Sequence, residues 1–296
     1  MQRFLHIIMF SLIGITVQAQ HAFQYSQYYF SGILINPAYA GSQGALNFTT
    51  IYRNQWTGME GAPENISIGL HSPLRNDKVN AGLIFLNNKY GLTCESQFLG
   101  VYAYRLKFKK SSLSFGLQAG VKARKNDWSK IETTEENDPL FEGNVQRTLN
   151  GTAGFGIFYK SDKLFAGVSS PVLYTTEQNF SFQYCPVVFS AGLLLKINDN
   201  LKVRPAGLVK YISNSPVAAD ISAALYIKEI IGIGAGYRSE DAVYAFTDIK
   251  LNDQFSAGYS YDYTLSPLNN YSNGSHEIML RYLFNYKLNV KNPRYF

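Results

Sequence analysis

The chain has no long apolar run after its first twenty residues. A membrane-spanning helix needs about 20 continuous apolar residues, and no later stretch of the 296 residues approaches that length. The mean hydropathy of −0.13 is slightly negative. A helical membrane protein is therefore excluded, whereas a barrel with a polar lumen agrees with these values.

Concentrated positive charge is also missing. The formal net charge is +6, but the basic residues are distributed along the chain rather than gathered in one run. A nucleic-acid-binding surface needs a basic stripe interleaved with stacking aromatics. We therefore expect no nucleic-acid partner.

Catalytic motifs are absent as well. Only His21, His71 and His276 follow the amino-terminal segment, and there is no Gly-x-Ser-x-Gly motif or phosphate loop. Ser275-His276-Glu277 contains the residue types of a triad, but adjacent strand residues point to opposite faces and cannot converge. No set of residues has metal-ligand spacing. The sequence predicts no enzyme activity, no cofactor and no metal site.

What the chain does contain is repeated alternation of apolar with small or charged residues. One example runs from Phe255 to Leu265, where Tyr259, Tyr261 and Tyr263 alternate with Ser260 and Asp262. A period of two places these sets on opposite faces of a strand. Tyr and Phe, 22 and 20 residues, are abundant. This pattern is typical of an outer-membrane β-barrel.

Clusters of turn-forming residues divide the chain into about fourteen strands. The predicted strands are 45–53, 65–72, 79–87, 94–107, 112–125, 150–160, 163–170, 186–197, 201–211, 218–228, 230–238, 242–251, 255–265 and 275–285. Links after strands six, eight, ten and twelve are tight, and links after strands one, five, seven and thirteen are long. Barrels have short periplasmic turns and longer extracellular loops. We therefore predict an all-β, transmembrane antiparallel β-barrel in the outer membrane, with both termini periplasmic.

The amino terminus has the features of a secretory signal. Arg3 precedes an apolar run from Phe4 to Val17, and Val17-Gln18-Ala19 offers small residues for cleavage. The predicted division is a signal peptide (1–19), an amino-terminal plug or periplasmic segment (20–44), the barrel (45–285) and a periplasmic tail (286–296). No cysteine follows the cleavage site directly, so no lipid anchor is expected.

Two cysteines, Cys94 and Cys185, occur in a chain destined for an oxidising compartment. Both fall near the outer ends of predicted strands, so a bridge is conceivable. Three strands separate them, which favours two unlinked thiols.

Seven basic residues lie at strand positions that alternate with the apolar ones, so they are predicted to face the lumen. They are Lys122, Arg124, Lys202, Arg204, Lys210, Arg238 and Arg281. Glu277, Asp248 and Asp220 could pair with some of them. Two interpretations follow: paired charges that simply fill a polar lumen, or a mildly cationic interior that binds an anionic or peptide ligand.

A segment before the first strand does not alternate. It reads F-Q-Y-S-Q-Y-Y-F-S-G-I-L-I-N-P-A-Y-A-G-S from Phe23 to Ser42 and is followed by Y-R-N-Q-W from Tyr52 to Trp56; the chain ends in N-P-R-Y-F. This combination resembles the PorP/SprF family of type IX secretion system membrane proteins. The resemblance implies a non-enzymatic outer-membrane barrel that supports export and surface retention of a large adhesin or other cargo. The implied partners are the cargo's C-terminal sorting domain, other type IX secretion components and outer-membrane lipid.

The residues carrying the resemblance are the candidate plug or partner-contact residues. They are Tyr25, Ser26, Gln27, Asn36, Pro37, Gly41, Arg53, Asn54, Gln55 and Trp56. Asn36-Pro37 predicts a turn leading into a short compact piece. We expect residues 20–44 to fold against the periplasmic mouth or into the lumen, either as a packed plug or as a partner contact. Arg53 to Trp56 would dock a client or, as we favour, anchor a loop. The alternative function is a channel for hydrophobic or anionic solutes.

Overall fold

The computed structural model describes residues 25–74, 77–128, 145–177 and 185–284. The strands, numbered here in chain order, are β1 (Leu46–Asn54), β2 (Glu64–Pro73), β3 (Val79–Tyr90), β4 (Thr93–Lys107), β5 (Ser111–Asp127), β6 (Val145–Ser161), β7 (Leu164–Thr175), β8 (Val187–Leu193, resuming as Leu195–Lys196), β9 (Leu201–Tyr211), β10 (Ala218–Ile227), β11 (Ile231–Arg238), β12 (Ala242–Lys250), β13 (Phe255–Thr264) and β14 (Ser275–Phe284). Short 3₁₀ segments cover Tyr28–Leu34, Pro37–Tyr39 and Pro267–Asn270.

The fourteen strands form one closed antiparallel barrel. Each strand pairs with the next along the chain, and β14 pairs with β1 from Leu46–Phe284 to Asn54–His276. Closure leaves no sheet edge, which a membrane-spanning sheet requires because unpaired backbone groups in hydrocarbon cost several kcal/mol each. The predicted fourteen-stranded barrel is confirmed.

The two faces of the wall differ as the alternation predicted. Along β13, Tyr259 and Tyr263 are exposed while Ser260 and Asp262 are buried. Large apolar side chains such as Leu117 and Ile221 are exposed on the outside. The apolar surface therefore faces outward, and the polar parity faces a filled lumen.

The two ends of the barrel differ in their connections. Links after even-numbered strands are short, such as the one between Ser161 and Leu164, and those after β1, β5, β7 and β13 are long. We call these the short-turn end and the long-loop end. The placement of the termini stays a prediction, because the signal peptide (1–19), residues 20–24 and the tail (286–296) lie outside the described residues.

Some strand limits differ from those predicted. β6 begins at Val145 rather than residue 150, and β7 continues to Thr175 rather than ending at residue 170. The first residues of β6 are mostly polar and do not alternate, but they pair with the end of β5. The β5–β6 hairpin is therefore longer than predicted, because backbone pairing continues into residues whose side chains do not alternate.

No helix in the described part of the chain is both long and apolar enough to cross a membrane. Cys94 and Cys185 are free thiols rather than a bridge. The Cys185 Sγ donates a hydrogen bond to the Leu173 carbonyl oxygen at 3.2 Å.

Candidate functional site in the barrel lumen

Residues 25–44 run through the lumen from the long-loop end to the short-turn end, and we call them the plug. Ser26 contacts Arg53, the penultimate residue of β1, and Asp262 near the end of β13. At the other end the Lys160 Nζ, near the end of β6, donates to the Ser42 carbonyl oxygen at 2.9 Å. The chain then enters β1 at the short-turn end.

A buried charge cluster holds the first residues of the plug. The Arg53 guanidinium lies 2.8 Å from Asp262 Oδ2 and 3.3 Å from Glu277 Oε2. Arg238 Nη1 lies 3.1 Å from the same Asp262 oxygen. These four side chains are at most 2% exposed, so the ion pairs are sheltered from water.

The plug backbone takes part in this cluster. The Ser26 and Gln27 amides donate to the two carboxylate oxygens of Glu277 at 3.0 and 2.9 Å. The Ser26 hydroxyl donates to Asp262 Oδ2 at 2.7 Å. Buried carboxylates need several donors to be tolerated, and the plug supplies three of them. Plug docking and satisfaction of the wall charges are therefore coupled.

Aromatic residues fill the middle of the lumen. The Arg204 guanidinium carbon lies 3.6 Å from the centre of the Tyr29 ring, within the range of a cation–π interaction. Tyr29 also packs against Phe30 and Phe246 at ring-centre distances of 4.8 and 5.4 Å. Tyr25 reaches the wall through its hydroxyl, 2.5 Å from Ser67 Oγ.

The Asn36-Pro37 turn lies directly against two glycines of the wall. The Asn36 side-chain Nδ2 donates to the Ile157 carbonyl oxygen at 2.9 Å. A Cβ added to Gly116 would stand 2.1 Å from the Ala38 backbone nitrogen, and one added to Gly156 would stand 2.1 Å from Asn36 Oδ1. These contacts require glycine at both positions.

The last plug residues are held at the short-turn end. The Gly41 amide donates to His71 Nδ1 at 3.1 Å, and Arg105 Nη2 donates to the Ala40 carbonyl oxygen at 3.1 Å. Tyr39 packs edge-on against His71. His71 is thus a structural residue of the plug seat.

Beside the plug, the long-loop half of the lumen contains a cavity of about 390 Å³. We call it the vestibule, and its wall includes Ile84, Leu99, Lys122, Val188, Leu208 and Lys210. Leu34 and Ile35 of the plug also line it. The vestibule is therefore a cavity that is lined in part by plug side chains.

An ion-pair network lies on one side of the vestibule. Lys122 Nζ is 2.7 Å from Glu177 Oε2, and Arg124 bridges Glu177 and Glu95 at 3.0 and 3.1 Å. Burial alone would raise the pKa of the Glu177 carboxyl, but the hydrogen bond and charge of Lys122 and the charge of Arg124 outweigh burial and hold that pKa below its usual value. Glu177 is therefore an ionised partner of both cations.

Two of the long connections join into one surface. The Thr57 amide donates to the Gly274 carbonyl at 2.8 Å, and the Asn273 amide donates to the Thr57 carbonyl at 2.7 Å. The Trp56 amide donates to Ser275 Oγ at 3.1 Å. We call residues 55–63 and 265–274 the outer platform. Its Tyr271 side chain is 73% exposed.

The structure brings most of the predicted plug residues together. Tyr25, Ser26, Gln27, Asn36, Pro37 and Gly41 all lie in the lumen, and Arg53 binds Ser26 there. Asn54 ends β1, while the backbones of Gln55 and Trp56 hold the outer platform. Arg53 therefore contacts the plug in the lumen, whereas the three residues that follow it end the strand and hold the outer platform.

The predicted lumen charges divide into groups. Arg204, Lys210, Arg238 and Arg281 are at most 5% exposed. Lys122 and Arg124 border the vestibule, and Lys202 pairs with Glu229 at the short-turn end. Sequence reasoning did not assign Asp262 a role, although its parity on β13 places it in the lumen.

Ser275, His276 and Glu277 do not form a triad. The His276 ring Nδ1 lies 2.7 Å from the Tyr259 hydroxyl, on the outer face, while Glu277 is fully buried in the lumen. Among the described residues, no group of three or more His, Cys, Asp or Glu is placed to hold a metal ion.

The barrel is similar to solved outer-membrane proteins at low sequence identity. The CymD monoaromatic hydrocarbon channel superposes with a TM-score of 0.52 at 10% identity, covering 90% of this chain and 95% of that one. Omp33 of Acinetobacter baumannii has a TM-score of 0.48 at 8% identity, covering 82% and 100%. At 10% identity, the likeness to CymD shows the fold alone. No curated protein matches the chain in sequence.

A family model gives a more specific match. The model described as "Type IX secretion system membrane protein PorP/SprF" matches residues 17–282, which include the plug and nearly the whole barrel. The chain therefore belongs to the PorP/SprF family of type IX secretion system membrane proteins.

Proposed function

We propose that this outer-membrane barrel is a non-enzymatic component of type IX secretion that supports export and surface retention of a large adhesin or other cargo. In this proposal the outer platform contacts the cargo's C-terminal sorting domain. Other type IX secretion components are further partners. The family membership supports the secretion role, and the plugged lumen is the structural observation that carries the proposal.

The plug favours contact over conduction. It crosses the lumen and is bound to the wall at both ends, through Ser26 at one and Ser42 at the other. Large aromatic side chains fill the space between these points. A barrel filled in this way is suited to presenting a surface to a partner rather than passing solutes.

The outer platform supplies such a surface. Its two loops are joined by backbone hydrogen bonds, so little conformational entropy is lost when a partner binds. Tyr271 presents an exposed aromatic ring, and aromatic anchors dominate the binding energy of many interfaces. We therefore assign the cargo contact to this surface.

The test compares cells that produce Tyr271→Ala with cells that produce the unchanged barrel, both in a strain lacking the native copy. Intact cells are labelled with membrane-impermeant biotin, and labelled proteins carrying C-terminal sorting domains are quantified by mass spectrometry. Truncating a central aromatic costs on the order of 2 kcal/mol of binding. We expect the surface amount of at least one such protein to fall several-fold.

Phe108→Ala is the matched control. Phe108 is also exposed, at 58%, but it lies in the turn after β4 at the short-turn end. Cargo display should be unchanged in this variant. Equal display in a strain that lacks the barrel altogether would contradict the secretion role, whereas loss only on complete deletion would contradict the platform assignment.

A further inference from the structure

We propose that the short-turn end of the barrel binds the headgroups of anionic phospholipids, such as phosphatidylglycerol, through a ring of lysines. This surface lies at the opposite end from the outer platform and does not depend on the secretion role. Three features of the described residues support it: an excess of lysine in the links at this end, the distribution of these lysines around the barrel, and exposed apolar side chains beside them.

The links at the short-turn end have more positive than negative charge. There are six such links, and each is counted here with one strand residue on either side. Their described residues include five acidic residues and eight lysines. We call these eight the lysine collar: Lys78, Lys107, Lys109, Lys110, Lys163, Lys196, Lys228 and Lys250. At the other end, the outer platform contains a single charged residue, Glu60, so the two surfaces differ in charge.

Acidic residues neutralise only part of the lysine collar. Three of its members pair with an acidic residue of the links: Lys107 with Asp77, Lys196 with Asp199 and Lys250 with Asp253. The other five are exposed and make no ion pair with another described residue: Lys78, Lys109, Lys110, Lys163 and Lys228. Their ammonium groups therefore face anionic groups outside the chain.

The lysine collar surrounds the barrel. Each of the six links contributes at least one lysine, from Lys78 after β2 to Lys250 after β12. The strands pair in chain order around the wall, so the lysines are spaced around its circumference. A protein partner usually covers one patch of a surface, whereas a lipid leaflet meets a barrel on every side. The distribution therefore favours lipid headgroups.

Exposed apolar side chains lie beside the lysines. Phe108, between Lys107 and Lys109, is 58% exposed, and Ile197, next to Lys196, is 62% exposed. Three further links each have an exposed apolar side chain: Leu74, Ile230 and Leu251. Lysine stems lie along apolar surface at a membrane interface while their ammonium groups reach the headgroups. Because the links are short, the lysines stay close to the wall and to the lipids around it.

The test uses the full-length protein in nanodiscs that contain equal amounts of phosphatidylglycerol and phosphatidylcholine. After release from the nanodisc, native mass spectrometry identifies the phospholipids that remain bound. A lysine near an anionic membrane surface contributes about a factor of five, so we expect phosphatidylglycerol to exceed phosphatidylcholine at least about fivefold. Equal retention of the two lipids would overturn the proposal.

A triple variant removes the excess charge of the lysine collar: Lys109→Gln, Lys163→Gln and Lys228→Gln. Bound phosphatidylglycerol and phosphatidylcholine should then be about equal. All three side chains are exposed, so the folded band on an SDS gel should be lost at the same temperature as in the unchanged protein. Arginine at the same three positions should keep the preference, because arginine keeps the charge. An undiminished preference in the glutamine variant would overturn the proposal.

Lys89→Gln combined with Lys125→Gln is the control at the other end. Both lysines are exposed and lie near the long-loop ends of β3 and β5. This variant should retain phosphatidylglycerol as the unchanged protein does, and an equal loss in both variants would contradict a site at the lysine collar. If phosphatidylglycerol were not preferred and a co-purifying periplasmic protein were lost in the glutamine triple variant, the lysine collar would instead be a protein-binding surface.

Discussion

At the scale of single residues, the buried charges of the lumen are tolerable because they are joined to one another and to the plug. Asp262 accepts hydrogen bonds from Ser26 and pairs with both Arg53 and Arg238. A buried charge that loses its partner is strongly destabilising. Asp262 is therefore the acidic residue that the two arginines share.

Asp262→Asn should markedly destabilise the barrel. The substitution removes the carboxylate that two buried guanidinium groups share. Arg53 keeps Glu277 and Arg238 keeps Asp220, so we expect a cost of about 1.5 to 3 kcal/mol, as for a lost charged hydrogen bond. The temperature at which the folded band is lost on an SDS gel should fall accordingly.

Asp253→Asn is the control for this experiment, because Asp253 pairs with Lys250 but is 88% exposed in a turn. An exposed pair is worth about 0 to 1 kcal/mol, so its unfolding temperature should barely move. Equal behaviour of the two variants would show that the lumen cluster does not contribute to stability.

Alternation predicted that Arg204, Arg238 and Arg281 face the lumen, and the three are buried there, but it did not single out Arg105 and Lys160, which hold the plug. It could not predict their partners. Ser26 and Asp262 lie 236 positions apart, and a strand period contains no information about which side chains meet across the lumen. Arg53 illustrates the limit, since its neighbours in sequence hold a loop while Arg53 holds the plug.

At the scale of elements, the number and order of strands followed from turn residues and loop lengths. The irregular parts of the strands did not follow from these signals. The extension of β6 lies in residues with no alternation, and the end of β7 contains a register shift beside Pro171. Both depend on backbone pairing between strands, which the side-chain pattern of one strand does not encode.

Gly116→Ala should displace the plug. A Cβ at this position would meet the Ala38 backbone 2.1 Å away, so the Asn36-Pro37 turn has to move. We expect single-channel conductance in planar bilayers to rise from near zero, with the β-sheet circular dichroism unchanged.

Gly100→Ala is the matched control on the neighbouring strand β4. The nearest atom to a Cβ there is the Ala119 carbonyl oxygen at 3.8 Å, an ordinary contact. This variant should stay closed. Large conductance in the unchanged protein would instead favour the alternative function, a channel for hydrophobic or anionic solutes.

At the scale of the whole molecule, the direction of the plug bears on the position of the amino terminus. Tyr25 and Ser26 lie in the long-loop half of the barrel. The residues before Tyr25 lie outside the described part of the chain, so the periplasmic position of the amino terminus, expected from the strand count, stays a prediction.

An epitope tag inserted between Gln20 and His21 tests this expectation. Antibody should bind the tag only after the outer membrane is permeabilised, as it should for a tag inserted in the Asn252-Asp253 turn at the short-turn end. Binding to the amino-terminal tag on intact cells would contradict the periplasmic position.

The joining of β14 to β1 has a consequence for biogenesis. Glu277 of β14 holds the Ser26 and Gln27 amides and also pairs with Arg53 of β1, so the last of the described strands to be synthesised encloses the first residues of the plug. These plug contacts are therefore complete only when that strand has joined β1. A protein deleted for residues 25–44 should accordingly not be rescued by the same peptide supplied separately after assembly.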